Sequence, residues 1–326
     1  MPHRKALKHI RKLWTEAQFR RDLAVGALSV VLAVGLALYW RAGHQPAPPP
    51  PAGPRVPIEG HETPPPPVLP PQAAIEAPAP VKPVPVEQPA WKRNAVVLAT
   101  PPQAPMIAIV LDDMGPNRKG TERALDLPAP VTFSFLPYAP KVAAFVKAAR
   151  DRGHEIIVHV PMEPVGHADP GPHALRTGET DQQLDADLVW NLSQFDGYVG
   201  INNHMGSRFT ADAKGMALVM KTLKARGLMF LDSRTSAQTE AANAARAAGL
   251  PTLSRDVFLD NDEEGTEVTA ELGRVEEIAR KRGAAIAIGH PHAVTLDMLE
   301  KWIPQARARG FTLVPLTAIL KYHEAT

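Results

Sequence analysis

The sequence contains no cysteine, and that absence removes three kinds of protein from consideration. A disulfide-stapled fold, a thiolate zinc site and a cysteine nucleophile all need a sulfur that is not there. Aromatic residues are sparse, at 6%. No GxGxxG or Walker sequence follows the first candidate strand, so a nucleotide-cradling loop has no support. Acidic and basic residues nearly cancel over the whole chain, but they are unevenly placed. Residues 1–41 carry 8 Lys/Arg against 2 Asp/Glu (+6), which leaves 28 against 32 (−4) for the rest. A mildly acidic body behind a basic tail argues against nucleic acid as a partner.

Proline is plentiful and concentrated: 21 of the 35 fall between residues 46 and 105. Proline fixes φ and removes backbone donors, so residues 41–105 read as a disordered, semi-extended spacer without a core. Such a segment could also engage an envelope protein partner that recognises polyproline. The folding part is then 106–324, enough for one α/β domain.

Ahead of the spacer, residues 23–40 (LAVGALSVVLAVGLALYW) run without a charge. Eighteen residues of helix span about 27 Å, close to a hydrocarbon core of roughly 30 Å. Tyr39 and Trp40 end the run, where amphipathic rings favour the interface. The basic tail 1–22 precedes it, so the positive-inside rule predicts a single-pass signal anchor with a cytoplasmic N-terminus. The domain would then lie in the periplasm, tethered to the inner membrane. A cleaved signal peptide is the alternative, but the apolar run is long for one and no clear A-x-A site follows it.

From Met106 the pattern alternates. Apolar runs at 106–111, 131–136, 155–160, 198–203, 228–232, 284–289 and 311–315, with a weaker one near 252–259, read as strands covered on both faces. Helical periodicity fills the gaps at 118–125, 141–151, 182–195, 212–226, 238–248, 267–282 and 294–308. Seven or eight βα units close into a barrel or open into a doubly wound sheet, and both place chemistry at the C-terminal ends of strands.

The unusual residues gather at those ends. Asp112 and Asp113 stand side by side where the first strand ends, and adjacent carboxylates repel unless a cation or proton intervenes. A helix N-cap would explain one of them. His159 lies near the end of the third strand, with Glu163 four residues on; alone, such a histidine is more often a core residue. The fourth strand ends in Asn202-Asn203-His204, which is either a turn exploiting asparagine or a histidine and an asparagine pointing into a site. Asp232-Ser233-Arg234 ends the fifth, Asp256 and Asp260 lie near the sixth, and His290-Pro291-His292 follows the seventh. His167 and His173, in a Pro/Gly-rich loop, read as solvated. Carboxylates and imidazoles without thiolate suit a divalent metal, best zinc, that keeps a position open for water.

The segments IAIVLDDMG, GHEIIVHVPMEP, GINNHMGS, FLDSRTS and AIGHPH occur in an order that resembles the divergent polysaccharide deacetylases, distant relatives of the NodB-type carbohydrate esterases. The resemblance spans the whole folding part. It implies a distorted, NodB-like (β/α)7–8 barrel and metal-dependent removal of acetyl groups from a cell-envelope glycan. By the same resemblance Asp112 is the base, Asp113 and His159 are metal ligands, and His290 protonates the leaving amine. The second position of the family's His-x-x-x-His metal pair is Glu163 here. His204 on the adjacent strand tip is expected to replace that imidazole, with Glu163 as the alternative ligand. Asn202-Asn203-His204 stands where the family carries Arg-Pro-Tyr. Asn203, Asp232, Arg234 and His292 are expected to contact substrate. These departures keep a second reading open, a non-catalytic glycan- or protein-binding module on the same fold.

Overall fold

In the computed structural model, which describes residues 88–325, every apolar run expected to be a strand contains one, the run at 252–259 contains two, and all of them join a single parallel sheet. The strands are β1 (Met106–Met114), β2 (Thr132–Phe135), β3 (Glu155–Met162), β4 (Gly200–Met205), β5 (Met229–Asp232), β6 (Thr252–Ser254), β7 (Val257–Phe258), β8 (Ala284–Gly289) and β9 (Thr312–Leu313). The helices are α1 (Ala90–Arg93), α2 (Arg118–Ala124), α3 (Val142–Asp151), α4 (Asp181–Leu192), α5 (Ala213–Ala225), α6 (Ala241–Ala248), α7 (Gly265–Arg282), α8 (Ala293–Ala308) and α9 (Leu316–Ala325). The sheet order is β6-β5-β4-β3-β2-β1-β8-β7, with β9 added to the lower part of β1. The basic tail, the run at 23–40 expected to be an anchor and most of the expected proline-rich spacer lie outside the described residues. Among the described residues, no helix is long and apolar enough to cross a membrane.

The expected distorted barrel takes the form of a curled half-barrel, open on one side. β6 and β7 stand at opposite ends of the strand order and no ladder joins them. The weak run at 252–259 breaks in two because Asp256 interrupts it: its backbone N–H donates to Ile286 O, and its carboxylate accepts from Ile286 N. The curl itself is strong. β4 and β8 are four strands apart, roughly 19 Å in a flat sheet at about 4.8 Å per step. Yet His204 Nδ1 and His290 Nε2 both approach the carboxylate of Asp113, at 2.8 and 3.9 Å.

Alternation along each strand sorts side chains into two cores. Ile107, Ile109, Leu111, Phe133, Ile156 and Val158 face the helices. Met106, Ala108, Val110, Ile157, Ile286 and Ile288 face the concave side. That concave row is apolar low down and polar at the top: 106, 108 and 110 lead to Asp112, 157 leads to His159, and 286 and 288 lead to His290. The lower mouth is plugged by Leu316, Ile319 and Leu320 of α9, together with Trp91 of α1. Folded structure therefore begins before residue 106, since Ala90 and Trp91 are buried and Trp91 N donates to Gly227 O.

Candidate active site

Two consecutive strand residues normally point to opposite faces, so Asp112 and Asp113 should not share a site. A register irregularity between Leu111 and Met114, with Asp113 at φ 53°, turns the second carboxylate back toward the first. Aspartate is among the few residues that tolerate this left-handed geometry. Both carboxylates then face the same imidazole, with His159 Nε2 lying 3.2 Å from Asp113 Oδ1 and 3.7 Å from Asp112 Oδ2. His204 comes from the neighbouring strand, where it pairs in register with Pro161. Its Nδ1 is 2.8 Å from Asp113 Oδ1 and 3.3 Å from His159 Nε2.

Asn202 fixes the chemical state of this cluster. Its Nδ2 donates to Asp112 Oδ1 at 2.8 Å and to Ser233 Oγ at 3.1 Å. Its Oδ1 therefore faces His159 and accepts from His159 Nδ1 at 2.7 Å and from Ser134 Oγ at 2.6 Å. A carbonyl oxygen only accepts, so Nδ1 of His159 carries a proton, and whenever the ring is neutral Nε2 is its free lone pair. Asp113 Oδ1 is buried and is approached by both imidazoles, at 3.2 and 2.8 Å, at angles too oblique for a well-formed hydrogen bond. An orphaned carboxylate oxygen facing two imidazole nitrogens is a donor set that fits a divalent cation. Asp113, His159 and His204 are the three residues brought together to hold one.

The electrostatics assign different states to the two carboxylates. Burial dominates Asp112 and raises its pKa despite the nearby histidines and Asn202. Burial also pushes Asp113 upward, but the close His159 and His204 imidazoles outweigh it and hold that carboxyl far below the usual range. For His159, burial disfavours the cation, while the charges of Asp112 and Asp113 and the hydrogen bonds to Asp113 and Asn202 win and raise its pKa.

Across the cleft, Asp260 grips His290 twice. The His290 backbone N–H donates to Asp260 Oδ2 at 2.6 Å, and its ring Nδ1 lies 3.0 Å from Oδ1. Thr295 Oγ1 donates to the same carboxylate. Burial works against the imidazolium, but Asp260 more than compensates and lifts the His290 pKa to about 9. Nε2 is left facing Asp113 at 3.9 Å. The cleft between these groups has a volume of about 370 Å³ and is walled by Asp113, Tyr138, His204, His290 and His292 among others.

Several expected roles move. Glu163 does not join the metal ligands: its carboxylate accepts from Thr177 N at 2.8 Å and Thr177 Oγ1 at 2.6 Å, and sits 3.5 Å from Arg208 Nε. It lies past the end of β3, where it holds the following loop. Asn203 is buried and ties β4 to the next strand tip through Met205 O, Thr235 Oγ1 and Ser233 N, so the inward asparagine is Asn202, two residues from His204 on the same face. Asp232 is also buried, accepting from Arg234 N and Thr239 Oγ1. His292 stays on the cleft wall. Arg234 lines a separate cavity of about 630 Å³ beside α7 that contains no histidine. The roles of Asn202, Ser134, Ser233 and Asp260 were not assigned from sequence. The i, i+2 spacing of Asn202 and His204 was the available signal for the first; pairing of Asp260 with His290 spans 30 residues and left none.

The family model for divergent polysaccharide deacetylases matches residues 109–320. Uncharacterized protein YibQ of Escherichia coli (strain K12) is 33% identical over 64% of this chain and 65% of its own length, so the match spans just under two thirds of that relative. An uncharacterized protein of Haemophilus influenzae is 34% identical over 60% of this chain and 69% of its own. Among solved structures, an uncharacterized protein from Agrobacterium tumefaciens C58 superposes with a TM-score of 0.69 at 29% identity, covering 71% of this chain and 95% of that one.

Proposed function

Because the chain belongs to the divergent polysaccharide deacetylase family, we propose that its cleft hydrolyses acetyl groups from a cell-envelope polysaccharide in a metal-dependent reaction. The observation that carries this reading is the convergence of Asp113, His159 and His204 on one point, with Asp112 beside it and the His290–Asp260 pair opposite. When bound, a divalent cation such as zinc supplies Lewis acidity toward the acetyl carbonyl and acidifies water.

The chain's own residues do the rest. Asp112, with its pKa raised by burial, is poised to take a proton from the attacking water rather than to remain an inert anion. Asn202 holds the Asp112 carboxylate in place and fixes the tautomer of His159. His290 is cationic at neutral pH because Asp260 stabilises it, so its Nε2 can deliver a proton to the departing nitrogen or oxygen. Water is consumed, acetate and a free amine or hydroxyl are formed, and the proton that leaves His290 is balanced by the one gained at Asp112. The apolar concave wall below, sealed by α9, keeps bulk water out from beneath the site. The sequence of residues 23–40 supports a membrane-tethered, periplasmic setting for this chemistry.

Acetate release from N-acetylated murein or chitin oligomers by the zinc-loaded full-length protein tests the reading. Activity is expected in the parent and absent in Asp113→Ala. Zinc binding with no acetate released from any of these polymers would favour the non-catalytic glycan-binding module, which the glutamate at position 163 first suggested.

A further inference from the structure

The loop between β3 and α4, residues 163–180, contains a histidine that has no part in the cleft. His173 takes a left-handed backbone at φ 54°, and its ring stacks on Trp190 of α4, centroids 3.8 Å apart and planes 18° from parallel. Its Nδ1 lies 2.7 Å from Asp187 Oδ1, and Asn191 Nδ2 donates to its carbonyl. The loop is also pressed onto Tyr138. A Cβ at Gly171 would sit 2.8 Å from that ring, so only glycine permits the approach. These rings border an open, shallow cavity of about 490 Å³, lined by Tyr138, Lys141, His173, Trp190 and Gln194 among others.

Tyr138 is common to this cavity and to the catalytic cleft, so the two are neighbours across one side chain. Both volumes fall in the roughly 300–1,000 Å³ usual for small-ligand sites. We propose that the second cavity is a glycan subsite, which holds a further pyranose of the same polymer against the Trp190–His173 ring pair. The proposal rests on the reading of the cleft as a polysaccharide site.

A pyranose offers a face of weakly positive C–H groups and an edge of hydroxyls. The negative faces of aromatic rings suit the first, and a lysine and an amide at the rim suit the second. A mere fastener for the loop would have buried its ring pair. Instead the His173 side chain is 38% exposed, Trp190 is half-buried, and open volume lies against both. Trp91 and Trp302 are buried, at 3% and 7% exposure, which makes Trp190 the accessible tryptophan among the described residues.

Titration of the full-length protein with the β-1,4-linked di- and tetrasaccharides of N-acetylglucosamine, followed by calorimetry and tryptophan fluorescence, tests the proposal. The tetrasaccharide is expected to bind at least about tenfold more tightly than the disaccharide and to change the fluorescence. In Trp190→Ala the length preference should disappear while disaccharide affinity stays. The double variant Lys141→Ala/Gln194→Ala, which leaves the ring pair intact, should reduce that preference without altering the fluorescence baseline. Disaccharide binding with no gain for the longer oligomer, or a gain that both variants retain, overturns the subsite alone. Failure of both oligomers to bind overturns the glycan reading of the cleft and the subsite with it.

Discussion

At the scale of single residues, Asn202 does the most with the least exposure. It is completely buried, and one amide simultaneously steadies Asp112, Ser134, His159 and Ser233. Groups that orient a metal-ligating histidine through its other ring nitrogen typically govern metal affinity by 10–100-fold. Removing one also leaves buried partners unsatisfied, at about 1–3 kcal/mol. Asn202→Ala is therefore expected to weaken zinc binding by roughly 10–100-fold while the protein still folds with a lowered melting temperature. Competition with a chromophoric chelator measures the first effect and calorimetry the second. Unchanged zinc affinity would mean that the His159 ring is held by packing alone.

At the scale of elements, most of the fold was legible because strands buried on both faces leave short uninterrupted apolar runs. β8 matches its expected range of 284–289, and α8 differs from its expected range by one residue. Glycines 153, 227, 249, 283 and 310 lie just past helix ends and all take positive φ, where a residue without a Cβ is not strained. The missed elements, α1 and α9, are short pieces whose amphipathicity depends on where they dock. α9 matters because it closes the lower mouth, and a buried carboxyl group fixes it there. Glu155, on the concave face of β3, accepts from Thr317 Oγ1 at 2.5 Å and Thr317 N at 3.1 Å. Burial raises the Glu155 pKa, and the Thr317 hydrogen bonds work against that rise. Thr317→Val keeps the shape but deletes a donor, which should cost about 1–3 kcal/mol. Hydrogen exchange in α9 should quicken more than in α8, and equal change in both would show that the plug is held by its apolar contacts rather than by Glu155. The candidate site was legible residue by residue but not in its connections. Asp112, Asp113, His159, His204 and His290 stood out as polar residues at apolar strand ends, whereas the inward turn of Asp113 depends on a local break in the register of β1, and the grip of Asp260 on His290 on the direct pairing of β7 with β8.

At the scale of the whole molecule, curling brings groups from β1, β3, β4 and β8 together, so an ion held by three of them ties the two halves of an open sheet. No β6–β7 ladder does that job. Ligands for such an ion are dispersed in the unfolded chain, so binding free energy adds to folding free energy. At a free zinc concentration about 100 times the dissociation constant, the gain is about 2.7 kcal/mol. With a shift of roughly 2–4 °C per kcal/mol for a domain of this size, the melting temperature should rise by about 5–10 °C. Scanning calorimetry of the full-length protein with zinc and with chelator measures the rise. Asp113→Ala should melt at the same temperature in both, because it removes the anionic ligand that both histidines share. A rise that persists in Asp113→Ala would place the bound zinc elsewhere, and the Asp260, His290 and His292 group is then the next set of donors to mutate.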